Sequence, residues 1–422
     1  MSDRLMKAEA LFEQGRWLQA LESYQEHLSE YPEDSHAYTM AARCLIHLKH
    51  YGKASDFVER AISVSPDFSY GYYIQSFICY LRNLDQDARR AIDTALELSP
   101  TNPDYHVMLA RLHAKKAEWS AASDAADTAL GFEPTHADAM VVKASALVKL
   151  RKYDEARTAL NFVLEQNPED EEAIVELGNL HLYLGDWEEA VSTFQSALEM
   201  NPESESARAG FMEALRTRYP LYGLILRYFM WMNRFSKKYQ QIMQYGLSIL
   251  MRFMGVIRRE YPALAPVLGV ILFFWKIFAY LSWTIRAGTT LLLRLNKFGR
   301  RLVNKEEVIE SNIVGILWGA ALGCWLYHNL FDPFTIFCRL GMVVFMSLPV
   351  LVGGAFASVD YGWPKYASRA ILAFMSFCGI VGLFLYTYGF REGLTLIQIY
   401  AYGFGIAVPV LAYLEGVEPE RE

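Results

Sequence analysis

Small, apolar and turn-forming positions recur with a 34-residue step through the first half of the chain. Alanine stands at Ala20, Ala54, Ala88, Ala122, Ala156 and Ala190, and a second small series runs Ala8, Ala42, Ser76, Ala110, Ala144 and Gly178. An aromatic residue recurs at Trp17, Tyr51, Trp119, Tyr153 and Trp187, with Asp85 the one exception, and proline at Pro32, Pro66, Pro100, Pro134, Pro168 and Pro202. This period predicts a helix–turn–helix unit. The small residues let its two helices approach, the aromatic opens the second helix, and the proline ends the unit. One such unit cannot bury its apolar face, so neighbours stack into a superhelix with a concave groove. The units run 1–34, 35–68, 69–102, 103–136, 137–170 and 171–204, and "ESESARAGFMEALRTRY" supplies a capping helix over 205–218.

Beyond residue 218 the pattern changes. Tyr239, Ile242, Met243, Gly246, Leu250, Phe253, Met254 and Ile257 fall on one helical stripe, which predicts an amphipathic helix. It is suited either to a membrane interface or to packing on the protein. The stretch 266–285, "PVLGVILFFWKIFAYLSWTI", is long enough to cross a bilayer. Lys276 near its centre costs about 2.5–3.5 kcal/mol, which its Val, Leu, Ile and Phe residues offset. Basic clusters flank it on both sides, however, and a single crossing leaves one of them on the wrong side. A non-crossing re-entrant or in-plane hairpin over 266–302, within a basic juxtamembrane region 219–311, is therefore expected. Four apolar segments follow, at about 312–330, 336–357, 369–390 and 394–414, and predict a four-span helical bundle before an acidic tail, 415–422. Gly315, Gly319 and Gly323 form two overlapping GxxxG motifs suited to helix packing in lipid.

The 34-residue unit resembles the tetratricopeptide repeat (TPR) family. The sixth unit, "LGNLHLYLGDWEEAVSTFQSALEMNP", carries Leu177, Gly178, Ala190, Phe194, Ala197 and Pro202 at the family's signature spacings. The usual fourth-position tryptophan is absent from every unit, and His27 stands where a small residue is usual. The resemblance implies an all-α superhelix that binds a protein partner in a groove lined by the first helix of each repeat. Carried over by position, the groove residues are Arg43, Tyr70, Tyr73, Phe77, Tyr80, Arg111, Asn179 and Leu182. Helical spacing alone leaves open whether the aromatics line the groove or pack the core. The lysine–asparagine clamp that some family members use for a chaperone's carboxylate tail is not matched, since Thr39/Arg43, Tyr73/Phe77 and Val107/Arg111 occupy those positions. Asp104, Asp138 and Glu172 also recur in phase, and the helix macrodipole accounts for an acid in each first turn.

Charge divides the chain further. Residues 1–216 hold 20 Lys+Arg against 36 Asp+Glu, residues 217–311 hold 15 against 4, and residues 312–422 hold 5 against 7. An acidic head, a basic collar and a nearly uncharged apolar block describe a membrane protein with a large soluble domain. The collar residues Arg252, Arg258, Arg259, Arg294, Lys297, Arg300 and Arg301 point to anionic lipid rather than nucleic acid. "MSDRLMKAEALFEQG" has no apolar run of the signal-peptide kind. The five cysteines form no CxxC pair, so neither a disulfide framework nor a zinc site is expected.

No nucleotide, metalloprotease or hydrolase motif is present, so no catalytic, cofactor or metal residue is assigned. The reading that follows is a non-enzymatic scaffold in a bacterial-type inner membrane, with its TPR head and C-terminus cytoplasmic. It recruits a protein partner and has the capacity to form a homo-oligomer. The alternative is a channel or transport subunit whose head regulates a pore.

Overall fold

The close approach of small residues organises the repeat region. In this computed structural model, which describes residues 3–294, 303–330, 336–357, 363–387 and 391–415, every regular element among the described residues is a helix. The repeat region consists of six pairs: α1 (Asp3–Glu13) with α2 (Trp17–Glu30), α3 (Ser35–His47) with α4 (Tyr51–Val64), and α5 (Ser69–Leu81) with α6 (Asp85–Leu98). Then follow α7 (Pro103–Lys115) with α8 (Trp119–Phe132), α9 (Ala137–Lys149) with α10 (Tyr153–Gln166), and α11 (Glu171–Leu184) with α12 (Trp187–Met200). Ala8, Ala42, Ala110 and Ala144 are fully buried, as are all six alanines of the other series. Ser76, which replaces alanine at one crossing, gives its hydroxyl proton to the Ala88 carbonyl at 2.8 Å. The one polar group at that crossing is thereby satisfied within the facing helix.

Helix ends repeat with the same period. Asp34, Asn102, Asp170 and Ser204 each accept a backbone N–H at the start of a first helix, satisfying donors that have no partner within the helix. At the turn between the two helices of each pair, φ is positive at Gly15, Lys49, Asn83, Ala117, Arg151 and Gly185. The amide of the next residue reaches back to close the helix, as in His50 N–H to Leu45 O at 2.8 Å and Glu118 N–H to His113 O at 3.0 Å. This left-handed closure favours glycine, yet four of the six positions carry another residue.

The chain divides into two compact units, one of Met1–Gly185 with Ser196–Pro202 and one of Asp186–Gln195 with Glu203 onward. The second holds α13 (Glu205–Thr217), α14 (Pro220–Met232), α15 (Lys237–Glu260), a single 3₁₀ turn (Pro262–Leu264) and α16 (Ala265–Leu293). Four more helices follow: α17 (Lys305–Leu330), α18 (Ile336–Ala357), α19 (Trp363–Thr387) and α20 (Arg391–Glu415). α13 seats on the Phe194 ring through Gly210, where a Cβ would lie 2.3 Å from the ring. Val314, Val344, Leu348, Leu351, Met375 and Leu411 meet in a common core of α17–α20.

Three expectations for this unit change. No hairpin interrupts 266–293. The residues form one unbroken helix, because nothing between Pro266 and Leu293 breaks it and a turn in lipid leaves backbone groups unsatisfied. Secondly, among the described residues three helices are long and apolar enough to cross a membrane: Pro262–Ser282, Lys305–His328 and Lys365–Tyr386. α18 and α20 contribute shorter apolar segments, Leu340–Gly353 and Leu394–Phe404. Two of the four expected spans, 312–330 and 369–390, coincide with candidates, and the stretch expected not to cross is the third candidate. Thirdly, the Gly315 ridge packs only at its start. Gly315 meets Leu291, whereas Gly319 and Gly323 face open space, because a four-residue step rotates about 40° round the helix at each repeat. A closer glycine contact is Gly288 on Trp318, where a Cβ would lie 2.6 Å from the indole.

A buried ion pair ties α13 to the apolar helices. Arg216, 3% exposed, donates to Glu307 Oε1 at 2.9 Å and to Thr290 Oγ1 at 3.1 Å. Arg286 reaches the same Glu307 oxygen at 3.1 Å. One residue earlier, Glu306 receives Lys365 at 3.1 Å and Arg369 at 2.9 Å. The start of α17 is therefore clasped on one side by α13 and α16, and on the other by α19.

Two outcomes follow. Ala117→Gly should stabilise the protein by about 1 kcal/mol by relieving the left-handed strain, seen as a higher urea midpoint by circular dichroism. Arg216→Ala should cost about 3–5 kcal/mol because it strands Glu307, whereas Arg216→Ala combined with Glu307→Leu should recover much of that loss.

Candidate functional site

Side chains from α3, α5, α7, α9 and α11 share one face of the repeat array. At one end, the Arg43 guanidinium lies 4.6 Å from the centroid of the Phe12 ring and within electrostatic reach of the Tyr70 hydroxyl. Tyr70 stacks on Tyr73 at 5.7 Å, and Tyr73 on Tyr105 at 5.3 Å. Ser69 Oγ shares a 3.0 Å hydrogen bond with the Tyr105 hydroxyl. These distances fit offset-stacked rings, which hold one another in place. Burial, then the nearby Asp104 and Tyr70, push the Tyr73 phenol up to about 12. Burial also raises Tyr70 and Tyr80. The tyrosines thus stay neutral at physiological pH and act as hydrogen-bonding groups rather than charges.

Further along, Arg111 bridges two later repeats, meeting Glu172 at 3.0 Å and Asp138 at 3.6 Å. Burial opposes its charge, but Glu172 and Asp138 outweigh that and raise its affinity for the proton. Asp104 pairs with His136 Nε2 at 3.1 Å. The in-phase acids therefore do more than complement helix dipoles: Asp138 and Glu172 meet Arg111 of an earlier repeat, and Asp104 meets His136 at the end of its own unit. Asp138 and Glu172 remain about half exposed. Lys115 Nζ sits 4.9 Å from the Tyr80 centroid, a cation–π distance, and 2.7 Å from Asp85. Lys149 is likewise placed 4.5 Å from the Tyr183 centroid.

The expected groove residues therefore separate. Arg43, Tyr70, Tyr73, Tyr80 and Arg111 belong to one continuous lane. Phe77 is half-buried and, like Tyr73 and Tyr80, packs against the core around Cys79, Ile92 and Met108. Asn179 turns back to Glu176, Nδ2 to Oε1 at 3.4 Å. Leu182, 6% exposed, is a core residue rather than a lining one. Spacing did not single out Tyr105 and Lys115. Their signal was local: a tyrosine one repeat beyond two others, and a lysine at the end of a first helix.

The collar residues also separate. Arg258 and Arg259 are exposed. Arg294 is engaged within the protein, donating to Ser311 Oγ at 3.0 Å and Asn312 Oδ1 at 2.7 Å. Lys297, Arg300 and Arg301, and the side chain of Arg252, lie outside the described residues.

Stacked helix pairs define a repeat-type fold. Two Tetratricopeptide repeat profiles match, one at residues 141–205 and 175–214 and one at 11–76. A third, described as Anaphase-promoting complex, cyclosome, subunit 3, matches residues 82–163. The N-terminal region belongs to the tetratricopeptide repeat family. No curated protein matches the chain. Among solved structures, that of YrrB, described as a TPR protein with an unusual peptide-binding site, is 21% identical with a TM-score of 0.32. It covers 44% of this chain and 96% of its own. The APC/C hetero-tetramer Cut9–Hcn1 is 16% identical with a TM-score of 0.46, covering 50% of this chain and 42% of that one. Yeast Tom70 is 19% identical with a TM-score of 0.39, covering 47% and 43%.

The stacked rings make a stability prediction. Tyr73→Ala should cost about 2–3 kcal/mol through lost packing, while Tyr73→Phe should shift the urea midpoint little, because Tyr73 stacks on Tyr70 and Tyr105 through its ring.

Proposed function

We propose that this chain is a membrane-anchored TPR scaffold that holds a protein partner on the inner lane of its repeat array. The observation that carries the reading is the Arg43–Tyr70–Tyr73 to Arg111–Asp138–Glu172 lane. Aromatic surface half-buried on a rigid support, flanked by charge, is the composition of a binding hot spot. The lane also has a direction, with an arginine at one end, neutral tyrosines between, and two half-exposed carboxylates at the other. A segment that places apolar residues on the tyrosines and a basic residue near Asp138 and Glu172 fits it.

Anchoring is supported by the three helices long and apolar enough to cross a bilayer. Glu306 binds Lys365 and Arg369 while the adjacent Glu307 binds Arg286 and Arg216. The basic residues at the ends of α16 and α19 therefore gather around the first turn of α17. By the positive-inside tendency that end faces the cytoplasm; with the 266–285 stretch dipping into one leaflet rather than crossing, the array is assigned to the cytoplasmic side of a bacterial-type inner membrane.

The test is purification of the full chain from native membranes in mild detergent with mass spectrometry. It compares wild type with Tyr80→Ala/Arg43→Ala, after circular dichroism shows equal helicity. A stoichiometric partner that falls at least tenfold in the variant is expected. Recovery of the protein alone, or of a partner indifferent to the variant, sinks the lane as a binding site.

A further inference from the structure

We infer that α15 is a lipid-interface helix, lying along the headgroup–acyl boundary of an anionic bilayer with its apolar side in one leaflet. The inference rests on the anchoring reading above and adds the surface through which the collar meets lipid. α15 is 24 residues long, or about 36 Å at 1.5 Å per residue. Its apolar residues occupy about half the helix circumference at 3.6 residues per turn. Among the described residues, that side lacks a protein cover. Ile249 is 68% exposed and Phe253 61%, and Tyr239, Ile242, Leu250 and Val256 are exposed too. α15 packs on α16, where the Arg258 guanidinium lies beside Gly269, and the 3₁₀ turn Pro262–Leu264 links the two helices.

Three observations identify the occupant as lipid. First, the apolar face is continuous through that turn with α16, whose segment Pro262–Ser282 is a candidate span and exposes Val267, Phe273 and Phe274. Helices joined by so short a turn enter the same environment at the turn. Secondly, α15 carries one acid, its last residue Glu260, within a region of 15 Lys+Arg against 4 acids. Anionic headgroups complement that charge. Thirdly, the same charge disfavours a second copy, since pairing two α15 faces brings like charges together. Amphipathic length, an apolar face with aromatics and exposed arginines Arg258 and Arg259 are what interfacial binding requires.

The experiment uses the full chain with p-benzoyl-phenylalanine replacing Ile249, Phe253 or, on the polar side, Gln240. The protein is reconstituted in phosphatidylglycerol/phosphatidylcholine vesicles or in phosphatidylcholine alone, irradiated, and its adducts are identified by mass spectrometry. Expected are lipid adducts at 249 and 253, at least fivefold above 240, with a several-fold drop in phosphatidylcholine alone or on Arg258→Glu/Arg259→Glu. Cross-linked dimers in place of lipid adducts overturn the inference in favour of self-association. Equal yields in the two vesicle types overturn the anionic preference. Alkaline carbonate extraction separates this inference from the reading beneath it. A protein that resists extraction yet gives no lipid adduct at 249 or 253 overturns the α15 inference alone. A protein released by carbonate overturns membrane anchoring, and this inference with it.

Discussion

Each repeat depends on bringing two helix backbones together where side-chain bulk is excluded. The six alanines at Ala20 and its 34-residue successors have no exposed surface, and small residues of the facing helix meet them. Close packing of this kind tolerates little volume change, because interiors are as dense as organic crystals. The crossing fixes how one helix pair sits, and the next pair repeats it. Side chains at equivalent positions of successive first helices then form rows. Tyr70, Asp104, Asp138 and Glu172 make one such row, and Arg111 bonds to two of its members, 27 and 61 residues away. The inner lane is therefore a consequence of the crossing: a regular backbone brings together groups that lie far apart in sequence.

The second unit uses a different device. Its helices are apolar, and lipid gives no hydrophobic drive between them, so contacts must come from shape and polar bonds. The first turn of α17 supplies both carboxylates, Glu306 and Glu307, where the helix macrodipole already favours negative charge. Neighbouring residues on a helix point about 100° apart, so the two carboxylates serve different partners. Glu307 takes Arg216 and Arg286, and Glu306 takes Lys365 and Arg369. Burying Arg216 among these groups is weak evidence for stability, since desolvation opposes the Coulomb gain. Its clearer consequence is geometric. A planar guanidinium that bonds Glu307 and Thr290 together restricts α13 to few positions relative to α16 and α17.

The repeat period was legible because it rests on residue size, and size is visible in a sequence. The aromatic series marks the first residues of α2, α4, α8, α10 and α12, and the prolines fall just after each second helix. What could not be read is what depends on the direction of a side chain. Leu182 and Tyr70 were assigned to the groove by the same positional rule, yet one is core and the other belongs to the lane. The bonds of Arg294 to Ser311 and Asn312 on α17 likewise depend on side-chain direction. The GxxxG ridge was legible only in part: the pattern specifies small residues but not which partner they meet, and within the described residues of this chain Gly315 alone of the three meets one, Leu291. The buried Arg216–Glu307 pair, 91 residues apart, left no local signal at all.

α16 shows how charge and hydropathy arguments can pull apart within one element. Its flanking arginines argued against a crossing, while its length and composition allowed one. The helix divides into two parts that answer to different surroundings. From Tyr280 onward it is protein-packed, with Thr284, Ala287, Thr289 and Thr290 almost fully buried and Tyr280 accepting the Trp318 indole proton at 2.6 Å. Before that point Val267, Val270, Phe273 and Phe274 are more than half exposed. Leaving four such side chains in water forfeits about 1.5–3 kcal/mol each relative to full burial, so this part requires an apolar environment that the rest of the described unit does not provide. Arg286 and Arg294 belong to the packed part, where Glu307, Ser311 and Asn312 bind them. Their position is thus set by protein contacts as well as by a membrane field. A count of flanking arginines treats them as free charges, and for this helix that assumption fails.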